Sequence, residues 1–397
     1  MLIYYRFNNF CSFHCESEFS MVAATGKVKK RFPDNYVAHE DGYDLLKSAV
    51  IVGENAGGKS NFINSLIYLK SFFENNSPVQ AVRPYINHAS FFENEKPIQK
   101  FEVCFRALNK KVYVYELHVD EEGIVLEKLQ WIKKVKVQPI VIFELRKRND
   151  EQKSWFVDGK NVEDTMKGFR EIIHSRGLGI GLVVSKMALL GNEDALNVVS
   201  WMTEILCPQT LSMAKLDDFI SKDKELKILK NERYLNIFRM VDYSICGIEV
   251  NEEQPYSKSI VIRKDEAGNM FRRELQMDST GVKEFFTWAL EIYRVVYENK
   301  VVFADEMDRV LNPILSDRVI AFINGSEHTG QFVFSTHNVL HLDLKTYMKE
   351  QIYFITKERQ KLSSEIYSLS DFPEVRYETT KIYEFYMKGI LGGTAFE

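Results

Sequence analysis

The chain has 397 residues, 45% hydrophobic and 27% charged, the balance of a globular protein with room for two compact domains or one large α/β domain with an insertion. Its 52 Lys and Arg against 56 Asp and Glu leave a formal net charge of -4, so no global basic excess exists to grip a phosphate backbone, and nucleic-acid binding would need a local patch or a partner. Met1 to Phe7 turns polar too early for a signal peptide, and no run of about 18 apolar residues occurs, so a cytoplasmic location is expected.

Residues 1–155 read as an N-terminal lobe rich in strands. Ala49–Val52, Phe101–Phe105, Val112–Leu117 and Pro139–Phe143 are strand-like runs, several alternating apolar and polar residues as half-buried antiparallel strands do. Turn-like Leu108-Asn109-Lys110 and Glu121-Glu122-Gly123 between them predict hairpins. Cys11, His14 and Cys15 lie close together, but no second pair at matching spacing follows, so they are expected to be ordinary strand residues. The five cysteines form no recognisable disulfide framework.

Within this lobe Gly53-Glu54-Asn55-Ala56-Gly57-Gly58-Lys59-Ser60 matches G-x-x-x-x-G-K-[ST]. An apolar strand runs in and an amphipathic helix, Asn61 to about Phe73, runs out with Phe62, Ile63, Leu66, Ile67 and Leu69 at core-facing spacing. Gly53, Gly57 and Gly58 let backbone N–H groups turn inward on phosphates, assisted by the helix N-terminus, and Asn55 and Asn61 flank the cradle. Lys59 is expected on the β- and γ-phosphates of ATP, and the Ser60 hydroxyl on Mg²⁺.

Residues 156–245 read as a helical insertion. Leu182 to Met202 carries apolar residues at helical spacing, and Phe219 to Met240 continues with a charged, amphipathic pattern. The heptads are too poor for a long coiled-coil rod. Lys133, Lys134 and Lys136 with Arg146, Lys147 and Arg148 form the densest basic region; solvated strand edges, where lysine discourages edge pairing, are the favoured reading over a nucleic-acid surface.

Residues 246–397 return to alternating strands and helices, a C-terminal lobe. Val301-Val302-Phe303-Ala304 is a buried strand ending in Asp305 and Glu306, the first placed to complete the Mg²⁺ shell and the second to orient the attacking water. The next apolar strand, Phe332–Phe334, leads to His337, which is placed to meet the γ-phosphate and that water. The fold class expected is α/β: a mixed sheet carrying the P-loop helix, with an antiparallel β subdomain and the helical insertion.

In this order the residues resemble the ATP-binding-cassette (ABC) type of P-loop ATPase found in chromosome-structuring and DNA-repair proteins. That resemblance implies heads that dimerise head to tail over two ATP molecules, with a Ser-x-Gly signature reaching the partner's γ-phosphate. Ser279 and Gly281 of Asp278-Ser279-Thr280-Gly281 match it, opening a helix from Val282 to about Tyr297, although the fuller Leu-Ser-Gly-Gly form is missing. Asn312-Pro313, after Asp308, resembles the loop that communicates between sites. The glutamine that senses Mg²⁺ in the family is left open between Gln138 and Gln152.

Asn9 to Phe13, similar to an opening strand, and Ile352 to Ile355, Glu365 to Phe372, Tyr386 to Gly389 and Gly392-Gly393 resemble the small defence-associated ABC ATPases, among them RloA, AbiL and the PARIS ATPase. Asn338 stands where those relatives often carry Asp, and the tail lacks their proline. The resemblance implies a homodimer or higher homo-oligomer acting with a separate nuclease-like effector, often TOPRIM-like, in antiphage defence. The alternative is a RecF-type repair ATPase that binds DNA directly. A nuclease domain within this chain is not expected, because little sequence follows the last strands.

Overall fold

The computed structural model describes residues 1–74, 98–120, 123–134, 137–147, 155–158, 181–209, 217, 223–306, 313–338, 343–358, 362–377 and 381–391. Asp308, Asn312, Lys136, Arg148, Gln152, Gly392 and Gly393 lie outside the described residues.

The strands are β1 Leu2–Asn8, β2 Ser17–Ser20, β3 Tyr36–Val37, β4 Leu45–Leu46, β5 Ser48–Gly53, β6 Gln99–Arg106, β7 Val112–Asp120, β8 Gly123–Ile132, β9 Ile140–Lys147 and β10 Trp155–Asp158, then β11 Leu206–Gln209, β12 Ile245–Glu249, β13 Ile260–Lys264, β14 Met270–Glu274, β15 Val301–Ala304, β16 Gln331–Thr336, β17 Ile352–Lys357 and β18 Ser364–Ser368. The helices are α1 Lys59–Glu74, α2 Val183–Leu189, α3 Glu193–Ser200, α4 Asp223–Leu229, α5 Glu232–Phe238, α6 Thr280–Glu298, α7 Pro313–Gly325 and α8 Ile382–Met387.

A six-stranded sheet in the order β11-β15-β16-β5-β17-β18 is the centre of the molecule, and only β18 runs antiparallel to its neighbour. Successive side chains of a strand face opposite ways, and here both faces are covered. Ala49, Ile51, Val301, Phe303 and Val333 join one core with α1, while Val50, Val52, Val302, Phe332 and Phe334 join another with α6 and α7. This two-sided burial explains why these strands read as unbroken apolar runs.

A seven-stranded antiparallel sheet, β10-β9-β8-β7-β6-β1-β2, lies beside the first, and β12-β13-β14 form a small third sheet. The fold class read from the sequence is therefore the one observed. One joint between the two large sheets is the buried Gln331 amide: it donates to the carbonyls of Leu2 and Leu46 at 3.0 Å each and accepts from the Leu2 N–H.

The stretch read as a helical insertion departs from that reading at Leu206–Gln209. These residues form the edge strand β11, parallel to the acidic strand β15, with Leu206 opposite Val301. Pro208 is tolerated because an edge strand has one side on which no ladder hydrogen bond is made. The preceding α2, α3 and Trp201–Ile205 pack into the same core as α1. A second departure is at the start of the chain. Asn9 to Phe13 is a tight turn after β1, closed by reciprocal Phe10–Phe13 backbone bonds, with Asn9 and Cys11 at φ 58° and 50°.

The buried Glu127 carboxylate on β8 accepts the backbone N–H groups of Val183 and Val184, at 2.7 and 2.9 Å, and so caps α2. Burial pushes this carboxyl up to about 7, against the opposing pull of those two N–H bonds. A carboxyl raised above its unfolded value of 4.5 stabilises the fold fully below that value, and the contribution is lost as pH rises through about 7. The unfolding free energy from denaturant titrations across that window should therefore fall with pH in the native chain, by a few kcal/mol at most, and Glu127→Gln should flatten the slope.

Candidate functional site

The site forms at the carboxyl ends of the parallel strands, where open α/β sheets carry their ligands. α1 brings the loop to it. Phe62, one turn into that helix, meets Tyr5, Phe7, Phe19 and Phe303 with ring centroids between 5.4 and 6.2 Å, and Tyr5 Oη donates to Ser65 Oγ at 2.9 Å. The helix is thereby locked to the N-terminal strands and to β15, two residues before Asp305.

Gly53 to Ser60 wraps tightly at the mouth of β5. A Cβ on Gly53 would stand 2.2 Å from the Ile355 carbonyl oxygen, and Gly58, at φ 121°, would bring one to 2.5 Å from Ser364 Oγ. Gly57 N–H donates to Glu54 O at 3.2 Å, Ala56 turns left-handed at φ 59°, and Asn55 is exposed at the tip. Lys59 Nζ is folded against the loop, donating to the carbonyls of Gly53 and Glu54 at 2.8 and 2.9 Å.

The paired acids of β15, some 245 positions downstream, meet this loop directly. Ser60 Oγ donates to Asp305 Oδ2 at 2.6 Å. The other carboxylate oxygen accepts from Ser335 Oγ at 2.5 Å, and that same hydroxyl accepts the Glu306 N–H at 2.8 Å. Glu306 sits at φ 51°, a left-handed conformation costly for a glutamate and of the kind stored at working sites. His337 follows the next strand, with Nε2 3.8 Å from Glu306 Oε1, both side chains about two-fifths exposed.

Lys59, Ser60, Asp305, Glu306 and His337 thus share one end of the sheet. Ser279 and Gly281 are bonded to none of them. Ser279 is the N-cap of α6, its Oγ accepting from the Val282 N–H at 3.4 Å, and it is exposed. The turn is braced behind by Asp278, which accepts the Ser279 N–H at 2.8 Å and pairs with Arg263 at 2.8 Å.

Three supporting residues were not singled out from the sequence. Ser335 fixes both acids. Ser364 Oγ donates to Gly57 O at 2.6 Å and bonds Ser12 Oγ at 2.7 Å, and Ser12 accepts the Asn61 side-chain amide at 2.8 Å. The Asn61 amide is therefore engaged with the brace behind the loop. A methyl group at Gly58 must displace that brace and bear the strained φ. Gly58→Ala should weaken ATP binding at least about tenfold, with only a modest fall in Tm, read by calorimetric titration beside a thermal melt.

Hydroxyl and carboxylate oxygens within 2.6 Å of each other are a donor set suited to a hard, oxygen-seeking cation such as Mg²⁺. A glycine-rich turn between a buried parallel strand and a helix, facing two acids at the end of a neighbouring strand, defines the class: a P-loop nucleotide-binding domain. The chain belongs to the family described as "AAA domain, putative AbiEii toxin, Type IV TA system", whose model matches residues 48–343.

No curated protein matches the chain. Among solved structures it is similar to the SMC head domain from Thermotoga maritima, at 15% identity over 92% of this chain and 98% of that one, with a TM-score of 0.42. It is also similar to an SmcHead bound to the C-winged helix domain of ScpA, at 14% identity, 92% and 97% coverage and a TM-score of 0.49. An Smc head with an extended coiled coil, bound to the C-terminal domain of ScpA derived from Pyrococcus furiosus, gives 11% identity, 92% and 96% coverage and a TM-score of 0.45. Among the described residues no helix is long and apolar enough to cross a membrane.

Proposed function

We propose that this chain hydrolyses ATP to ADP and phosphate in a head-to-tail homodimer, and that the nucleotide cycle controls a separate effector protein, nuclease-like, in antiphage defence. The observation that carries the hydrolytic reading is the 2.6 Å bond between Ser60 and Asp305, which joins loop and acidic strand at one point. The loop amides from Gly57 to Ser60 cradle the phosphates, and Lys59 leaves its two loop carbonyls for the β- and γ-phosphate oxygens. Ser60 and Asp305 would hold Mg²⁺, which would supply positive charge to the phosphate oxygens.

Glu306 accepts a proton from the attacking water and aligns it with the γ-phosphorus. Its backbone is held by Ser335, so the carboxylate approaches from a fixed direction. His337, 3.8 Å away, stands on the same side and donates to the γ-phosphate or to that water. The role of effector control rests on the sequence resemblance to defence ATPases, and recovery of a co-purifying nuclease from the native host tests it.

The shared site rests on the exposed Ser279 turn at the N-terminus of α6, whose hydroxyl caps its own helix and bonds none of Lys59, Ser60, Asp305, Glu306 and His337 in the same chain. Ser279→Arg and Lys59→Ala proteins should each be inactive alone. Mixed one to one, random pairing leaves half the dimers with one intact composite site of two, so activity should return to about a quarter of the native value. A mixture as silent as its parts places the two roles in one chain, and an active Ser279→Arg protein places Ser279 outside the reaction.

A further inference from the structure

A second concave site lies at the other end of the same sheet. Asn299, the left-handed C-cap of α6, accepts from the Thr329 N–H at 2.7 Å just before β15 and β16 begin, and both residues line a cavity of about 790 Å³. The loop and acids sit where those strands end, so the two sites are separated by the strand length. The remaining wall comes from Met1, the segment from Val37 to Asp41, the β6–β7 turn, the end of β8 and the helical turn Trp201–Ile205.

Its chemistry is one-sided. Lys110, Lys111, Lys133, Lys134 and Arg106 line it against only Glu40 and Asp41. Asp41 is already paired with Arg106, and Lys111 is paired with Asp194 at 2.8 Å. Lys110, Lys133 and Lys134 make no ion pair among the described residues. By contrast Arg146 and Lys147, the other described half of the basic run, are paired with Glu144 and Asp120.

Trp131, half-buried, adds an aromatic ring with Lys111 Nζ 5.5 Å from its centroid. A volume in the small-molecule range, ammonium groups without an ion pair among the described residues and an aromatic ring in the wall fit an acceptor-rich anion that carries a planar ring.

We propose that this cavity binds a nucleoside monophosphate group, the lysines holding its phosphate and Trp131 its base, at a site separate from the P-loop. The group could be a free nucleotide or the 5′-phosphorylated end of a single strand, and both present the same chemistry. The inference is independent of the proposed hydrolysis, since no residue of the cavity belongs to that site.

The test is the anisotropy of a fluorescent AMP analogue added to the full chain with the P-loop disabled by Lys59→Ala. Adding Lys110→Glu, Lys133→Glu and Lys134→Glu should weaken binding at least about tenfold. Trp131→Ala should weaken it as well, and Trp131→Phe should restore most of it. The lysine variant with Lys59 intact should hydrolyse ATP at the native rate. Single strands with a 5′-phosphate or a 5′-hydroxyl distinguish the sources: preference for the phosphorylated strand over the analogue points to a strand end, and the reverse to a free nucleotide. Equal binding by the lysine variant, no binding of the analogue or of either strand, or binding of both strands alike without the analogue, overturns the proposal.

Discussion

Glu306→Gln should lower ATP turnover by about 10² to 10⁴-fold while leaving ATP bound. The substitution removes the proton acceptor and keeps the volume, and the Ser335 contacts that shape the site do not depend on the lost charge. Ser335 still receives the residue 306 N–H and still donates to Asp305. The positive φ of 51° is no worse for glutamine than for glutamate. The expected product is a dimer trapped with nucleotide, visible as a shift in mass by light scattering when ATP is added and not when ADP is added. Normal turnover by this variant would transfer the water-orienting role away from Glu306.

Lys59→Ala acts one step earlier. The ammonium group is the only side-chain cation of the loop from Gly53 to Ser60, and without it the loop meets the triphosphate with backbone amides and the Ser60 hydroxyl alone. Nucleotide affinity and turnover should both fall by at least about a hundredfold, whereas the fold should lose little. The reason for the small structural cost is that Lys59 bonds two loop carbonyls that are near the mouth, while the turn itself is held by Gly57 N–H on Glu54 O and by the Ser12–Ser364 pair behind it. Radiolabelled ATP binding and a thermal melt on one preparation separate the two effects.

Much of this site was legible because its chemistry is local in sequence. Gly53 to Ser60 needs eight adjacent residues between a strand and a helix, and both elements stand where the apolar spacing put them, as Ser48–Gly53 and Lys59–Glu74. Val301 to Glu306 was visible for the same reason: a strand buried on both faces is apolar throughout, so two acids at its end are conspicuous. Ser12 and Ser364 were invisible, because residues 352 positions apart make no pattern until the fold joins them. β11 escaped because four residues containing a proline, at a sheet edge, carry neither periodicity nor β-branched composition. Asn9 to Phe13 misled by its apolar content. The Asn8-Asn9 pair was the signal for a turn, since asparagine tolerates left-handed backbone, but nothing in the sequence marks Cys11 for φ 50°.

The basic run shows how tertiary context divides a compositional feature. Arg146 and Lys147 are ion-paired on β9, an inner strand between β8 and β10, so the strand-edge reading does not hold for them. Lys133 and Lys134 lie past the end of β8, where they join Lys110 and Lys111 from the neighbouring turn around one cavity.

The most direct measurement is a crystal structure of the Glu306→Gln protein with ATP and magnesium. The triphosphate should lie against the amides of Gly57 to Ser60 with Lys59 turned onto it, and the metal should sit between Ser60 and Asp305. A nucleotide bound elsewhere on the chain, or a metal held by neither of those oxygens, would contradict the account.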